Sequence, residues 1–150
     1  MWAEAADGYE RAGDIDSAVK LHLLKLSNAN KAFALARRSR HAAAATTLAR
    51  WCVANEQWAG AVEFHALSGD ANTALRIAET HDQMDAMAAS LPGDAPAMLH
   101  AKVAVWYQNA GRHRKAAAQY EAAGNWGACV AQLLAHAQRV RSGPCRVRHL

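Results

Sequence analysis

GDIDSAV, residues 13–19, contains a short pattern that recurs along the chain and decides its fold. A turn residue (Gly13) and a polar residue (Asp14) precede an apolar residue (Ile15), two free positions, a small residue (Ala18) and a second apolar residue. Glycine readily adopts the left-handed conformation that ends a helix. An aspartate directly after it accepts hydrogen bonds from the free N–H groups of the following helix. The pattern therefore predicts a tight junction between two helices.

The same frame begins again at residues 27, 56, 69, 111 and 124, so that the frames form pairs spaced 13 or 14 residues apart. This spacing leaves room for one short helix and its turn, and none for strands. A further helix precedes each pair, at about residues 3–12, 42–54 and 97–109. The turns contain four glycines, and six small residues are expected where the helices of a hairpin cross closely. These structural repeat positions are Gly13, Gly69, Gly111 and Gly124, and Ala18, Ala32, Ala61, Ala74, Ala116 and Cys129.

The composition agrees with helices throughout. The 150 residues include 38 alanines, and 52% are hydrophobic but only 7% aromatic. Alanine has the highest helix propensity, and aromatic and β-branched residues, which favour strands, are scarce. We therefore predict an all-α protein, an α-solenoid of antiparallel helical hairpins of the tetratricopeptide-like type.

Two segments interrupt the repeat. Residues 91–96, LPGDAP, hold two prolines and a glycine and predict a loop, with Asp94 capping the helix that begins at Pro96. Residues 137–150 show neither frame nor helical period and include four arginines but no acidic residue. Because one repeat cannot bury its apolar face alone, we predict a single helical array over residues 1–136 and a basic, irregular tail over 137–150.

Charge and composition argue against several classes of protein. The net charge of +4 comes from the tail, and the remaining body is neutral, so we expect no nucleic-acid partner. No apolar run approaches the length of a membrane span, and no signal peptide opens the chain, so we expect no direct membrane insertion. Three widely spaced cysteines suit a reducing intracellular compartment.

Sites for chemistry are not evident. The histidines are dispersed, and only Cys145 and His149 show metal-like spacing, without a second ligand pair. No phosphate-binding loop, nucleophile elbow or zinc-binding HExxH motif occurs. We expect no enzyme activity, no cofactor, no metal and no small-molecule substrate.

Aromatic residues are the candidates for binding. Trp58 and Trp126 occupy the frame position of Ile15, which predicts that they pack between repeats. Trp51, Trp106 and Tyr107 lie on the first helix of their units, which lines the inner surface of tetratricopeptide arrays. They are either core residues or residues that contact a protein partner.

Longer stretches carry a resemblance to a known family. They are YERA (9–12), LLKLSNANKAFALAR (23–37), AAAATTLARWCVANEQWAGAVEFHAL (42–67), AETHDQMDAMAA (78–89) and WYQNAGRH (106–113). In this order and without gaps, they resemble the C-terminal helical-repeat half of a WD-repeat subunit of intraflagellar transport complex A. The resemblance covers about residues 6–134.

That resemblance implies a function. Such subunits begin with WD-repeat propellers, end with tetratricopeptide-like repeats, and belong to the complex that carries cargo back from the ciliary tip and admits membrane proteins to the cilium. It implies a non-enzymatic scaffold segment whose partners are the other complex A subunits, located in the cilium and at its base. This chain has no propeller, and its tail departs from the family pattern, so it resembles a fragment or a truncated gene model. The alternatives are a generic helical-repeat adaptor of a vesicle-coat or chaperone-docking type, an RNA-binding repeat protein, and a regulatory subunit of an enzyme.

Overall fold

The computed structural model describes residues 1–142, and within them it is all-helical, as the composition and the frames predict. Its helices are α1 (Trp2–Ala12), α2 (Ile15–Leu24), α3 (Ala29–Ser39), α4 (Ala42–Ala54), α5 (Trp58–Leu67), α6 (Ala71–Thr80), α7 (Met84–Ser90), α8 (Ala97–Asn109), α9 (His113–Ala122) and α10 (Trp126–Ser142). The all-α helical-repeat class is confirmed.

The frames end and begin helices as expected. All six turn residues adopt the left-handed conformation, namely Gly13, Ser27, Glu56, Gly69, Gly111 and Gly124. In four frames the next side chain accepts a hydrogen bond from a backbone N–H three residues on; these side chains are Asp14, Asn28, Asp70 and Asn125. Local sequence thus sets the helix junctions.

Two further junctions of this kind have no glycine and were not predicted. Arg40 and Asp82 also adopt the left-handed conformation. After Arg40, the His41 ring accepts a hydrogen bond from the backbone N–H of Ala44. After Asp82, Met87 occupies the position that is small in the other frames, and it is fully buried. The repeat is therefore more regular than the glycines indicate.

The chain divides into two compact units, Met1–Ser90 and a second that begins at Leu91. The division falls at the loop predicted over residues 91–96. A single array over residues 1–136 stays a prediction.

The first unit consists of α1 to α7. Helix α1 packs on α2, α2 on α3 and α4, α4 on α5, and α5 on α6 and α7. Its core is built mostly from alanines, with Leu48, Phe64 and Cys52 fully buried among them. Small side chains let the helices approach closely, so that the interior fills with backbone and methyl groups.

The second unit consists, in its described part, of α8, α9 and α10, with α9 packed against both neighbours. Two polar pairs join the helices. Nδ1 of His100 lies 2.9 Å from Oε1 of Gln119, and Nδ1 of His113 lies 2.8 Å from Oε1 of Gln132. Since an amide oxygen only accepts, each histidine donates its Nδ1 proton. The two pairs lie 13 residues apart, so the repeat extends to these polar contacts.

Two expectations about the ends of this unit were wrong. Helix α10 continues to Ser142, so residues 137–142 are helical rather than irregular; the rest of the predicted tail, 143–150, with Cys145 and His149, lies outside the described residues. Its helical part is anchored, because the Arg139 guanidinium donates to the carbonyl oxygen of Gly111. Asp94 does not cap α8, whose N-cap residue is Pro96.

Candidate protein-interaction surfaces

The small residues of the frames are packing positions. Ala18, Ala32, Ala61, Ala74 and Ala116 are fully buried, and Cys129 is 6% exposed. The structure thus places all six residues inside the helix crossings. A partner has no access to them, and their contribution to binding is to hold the helices that form the surface.

The three candidate contact aromatics differ in position. Tyr107 is only 2% exposed, so the structure places it in the core rather than on a protein-contacting surface. Trp51 is half-buried and packs edge-on against Phe33, with ring centroids 5.8 Å apart. Trp106 is also half-buried, and the guanidinium of Arg112 lies 6.0 Å from its ring centroid. Only the two tryptophans keep an accessible edge.

The two tryptophans predicted to pack between repeats also differ. Trp58 is half-buried and stacks on the ring of His81, with centroids 3.6 Å apart. Trp126 is 62% exposed, so the packing prediction was wrong for it. Trp126 begins α10, and within the described residues no later helix follows to cover it.

Trp126 belongs to a larger exposed surface, which we name the α10 apolar face. It consists of Trp126, Val130, Leu133, Leu134 and Val140, each at least 48% exposed. Most of these residues follow the spacing of three and four residues that lines up side chains on one side of a helix. That spacing is visible in the sequence, but the frame ends at Val130 and did not extend the reading along the helix.

Ion pairs account for two of the arginines near the end of α3. Nη2 of Arg37 lies 2.8 Å from a carboxylate oxygen of Glu63 on α5, and its Nε donates to the second oxygen. Hydrogen bonding to this carboxylate raises the pKa of Arg37. Arg38 donates to Glu10 on α1. Both arginines thus tie together helices that are distant in sequence.

The titratable groups of the first unit show no arrangement for catalysis. Burial raises the pKa of the Cys52 thiol to about 11, which keeps it protonated and unreactive at neutral pH. In the part of the chain that the structure describes, no three His, Cys, Asp or Glu side chains come together as metal ligands. Nor does any helix between residues 1 and 142 have the length and apolarity needed to cross a bilayer.

A cavity of about 430 Å³ lies between the start of α9 and the end of α10. We name it the basic cavity, and its described lining residues are Gly111, Arg112, His113, Arg114, Lys115, His136, Arg139 and Val140. None of them is acidic. Sequence reasoning missed this cavity because it assigned Arg139 to an irregular tail.

The charge of the chain is accordingly uneven. Residues 1–90 hold nine lysines and arginines against eleven acidic residues, whereas residues 91–142 hold six against two. The prediction of a neutral body is correct as a sum over residues 1–136, but the second unit is basic within its helical part.

Antiparallel helical hairpins with small residues at their crossings, and exposed apolar and basic surfaces, define a helical-repeat protein of the scaffold class. Residues 2–141 match the model of a tetratricopeptide-repeat domain family that is described by two intraflagellar transport proteins, numbers 140 and 172. The chain belongs to this family, whose members carry the repeats of intraflagellar transport proteins. No curated protein matches the chain.

Proposed function

We propose that this chain is a non-enzymatic scaffold segment of intraflagellar transport complex A, which binds other subunits of that complex in the cilium and at its base. The observation that carries the proposal is the match to an intraflagellar transport repeat family over nearly all of the chain. The proposal includes a part in retrograde transport and in ciliary entry of membrane proteins.

The order and spacing of the stretches that carry the resemblance favour one parent, WD repeat-containing protein 19. The family description names two other proteins and so supports the class of repeat rather than this parent. The genomic sequence upstream of Met1 tests the assignment. An open reading frame that encodes WD repeats supports it, and a different upstream domain contradicts it.

The distribution of apolar side chains supports protein binding. The residues of the helix crossings are buried, whereas the α10 apolar face and the outer edges of Trp51 and Trp106 remain accessible. Interfaces draw most of their affinity from a few apolar and aromatic anchors. An exposed row of such residues on a rigid helix is the kind of surface that a neighbouring subunit covers.

The experiment that tests the scaffold role disrupts the array in the full-length parent. Replacement of Ala61 by Arg forces a charge into a fully buried crossing, at a cost of roughly 3–5 kcal/mol. We expect the Ala61→Arg variant to lose co-purification with the other complex A subunits and to accumulate returning trains at ciliary tips.

A matched control is Ala59→Arg, which adds the same charge to an exposed position of the same helix. We expect this variant to assemble normally. Normal assembly and normal cilia with Ala61→Arg would contradict the scaffold role and favour the alternative, a generic adaptor of a vesicle-coat or chaperone-docking type.

A further inference from the structure

The first turn of α9 breaks the pattern of its own repeat. In four frames the residue after the turn is Asp or Asn and caps the helix, but here it is Arg112, which forms no side-chain cap. His113, Arg114 and Lys115 follow it. A cap of the usual kind stabilises a helix by about 1 kcal/mol, and cations at a helix N-terminus oppose the helix dipole by about 0.3–1 kcal/mol each. Departures from local stability of this kind are expected at functional sites.

Helix α10 adds to the same charge. Arg139 and His136 line the basic cavity from the other side, so that cations from two helices face one space. The hydrogen bond from Arg139 to the carbonyl of Gly111 holds α10 against the α8–α9 turn. A Cβ atom at Gly111 would lie 3.2 Å from Nη1 of Arg139, so glycine is what permits this close approach.

Aromatic rings orient two of these cations. The Arg112 guanidinium lies 6.0 Å from the ring centroid of Trp106, and Nζ of Lys115 lies 5.7 Å from that of Tyr107. Cations held over ring faces keep a defined position. The only acidic residues of the described second unit are Asp94 and Glu121, and neither lines the cavity.

We propose that the basic cavity binds a carboxylate-rich segment of a partner protein. The proposal deepens the scaffold role and rests on it. Val140 belongs both to the cavity and to the α10 apolar face, so the apolar side of the bound segment lies along α10 while its carboxylates enter the cavity. Opposite charge across an interface determines which partner is accepted and in which orientation.

The geometry favours a peptide over nucleic acid. Proteins that bind single-stranded nucleic acid combine a positively charged groove with aromatic rings on which bases stack. No aromatic side chain is among the described residues that line the cavity. The rings of Trp106 and Tyr107 are engaged with Arg112 and Lys115 instead.

The test measures binding of a fluorescein-labelled hexaglutamate peptide to the full chain at low salt by fluorescence anisotropy. The cavity variant carries Arg112→Asn, Arg114→Gln and Lys115→Gln. The control carries Lys25→Gln, Lys31→Gln and Lys102→Gln, which removes three exposed charges outside the cavity. We expect affinity to fall about tenfold in the cavity variant, as three exposed ion pairs imply, and no more than about twofold in the control.

Stability and binding should separate in this experiment. Because Arg112→Asn supplies the missing cap, the cavity variant should unfold at the same or a higher temperature than the unmodified chain. If the triple variant does not fold, the exposed single substitution Arg114→Gln repeats the binding test and is expected to weaken binding about twofold to fivefold.

Three results would overturn the proposal. They are no binding of hexaglutamate to the unmodified chain, equal losses in the cavity and control variants, and tighter binding of a hexauridine oligonucleotide that the cavity variant also loses. The scaffold role is read separately, by co-purification of Ala61→Arg. Failure of peptide binding while Ala61→Arg still leaves the complex would remove the cavity assignment alone.

Discussion

Gly60 on α5 faces Cys52 on α4 at one of the closest helix crossings. A Cβ atom built on Gly60 would lie 2.9 Å from the Cys52 sulfur, nearer than such atoms approach each other. Alanine is about 1 kcal/mol better than glycine inside a helix, so an exposed Gly→Ala change would stabilise. At this crossing, steric conflict reverses that preference, because overpacking a close-packed core typically costs about 1–3 kcal/mol.

We therefore predict that Gly60→Ala destabilises the chain, whereas the same change in a Cys52→Ala background does not. Shortening the side chain at residue 52 frees the space that the new methyl group needs. Urea unfolding of the two single variants and the double variant gives the coupling free energy directly. Additive effects of the two substitutions would show that the two helices adjust without strain.

His22 is a buried residue without hydrogen bonds. It is 1% exposed, and neither ring nitrogen has a hydrogen-bond partner among the described residues. Burial lowers its pKa below the ordinary value of 6.5; Lys31 lowers it further, and Glu10 and Asp7 oppose the shift. The folded chain thus keeps His22 neutral at a pH where the unfolded chain already binds a proton.

We predict that stability falls as the pH drops below about 6.5, since the unfolded state then binds more protons than the folded state. His22→Leu should reduce this dependence, whereas His41→Gln, at an exposed position, should not. Chemical unfolding between neutral pH and about pH 5 measures it. Part of the slope should remain in His22→Leu, because burial also lowers the pKa of His65. An unchanged slope in His22→Leu would contradict the prediction.

At the scale of helices, local sequence predicted most boundaries. The helix expected over residues 42–54 is α4, and that over residues 97–109 is α8, with the same bounds. The turns at Arg40 and Asp82 escaped because the frame was defined by glycines and small residues. At Arg40 the N-cap is a histidine, and after Asp82 the buried crossing position is Met87, a long side chain. Whether a crossing accepts a long side chain depends on the space left by other helices, which spacing along the chain does not contain.

The left-handed turns that lack glycine offer a stability prediction. Glu56 adopts φ of 57°, a conformation that is unfavourable for a residue with a side chain by roughly 1–2 kcal/mol. Glycine removes that strain but loses more entropy on folding, so we expect Glu56→Gly to stabilise by about 0.5–1 kcal/mol. Gly69→Ala, with φ of 94°, should destabilise by about 1 kcal/mol or more. Thermal unfolding of both variants measures the difference, and a loss of stability in Glu56→Gly would contradict it.

At the scale of the whole molecule, charge was the property that sequence reasoning placed least well. A count along the chain separates Arg112 from Arg139, and it assigned the second to a tail. The basic cavity exists because α10 packs against α9 and brings these two residues to one space. Proximity of that kind follows from tertiary packing, so composition predicted the helical fold but not the site.

The α10 apolar face leads to the last prediction, which concerns association. Single exposed apolar residues are normal on proteins, but a contiguous row of them marks an interaction site. Without a partner, we expect copies of the chain to associate through this face. The triple variant Val130→Gln, Leu133→Gln and Leu134→Gln should remain monomeric at concentrations where the unmodified chain does not, as sedimentation equilibrium would show. The control, Leu24→Gln, Met98→Gln and Val105→Gln, removes exposed apolar residues elsewhere and should still associate. Added salt should not weaken this association, because apolar contacts are not screened, whereas binding of acidic peptide to the basic cavity should weaken. A monomeric unmodified chain would contradict the prediction.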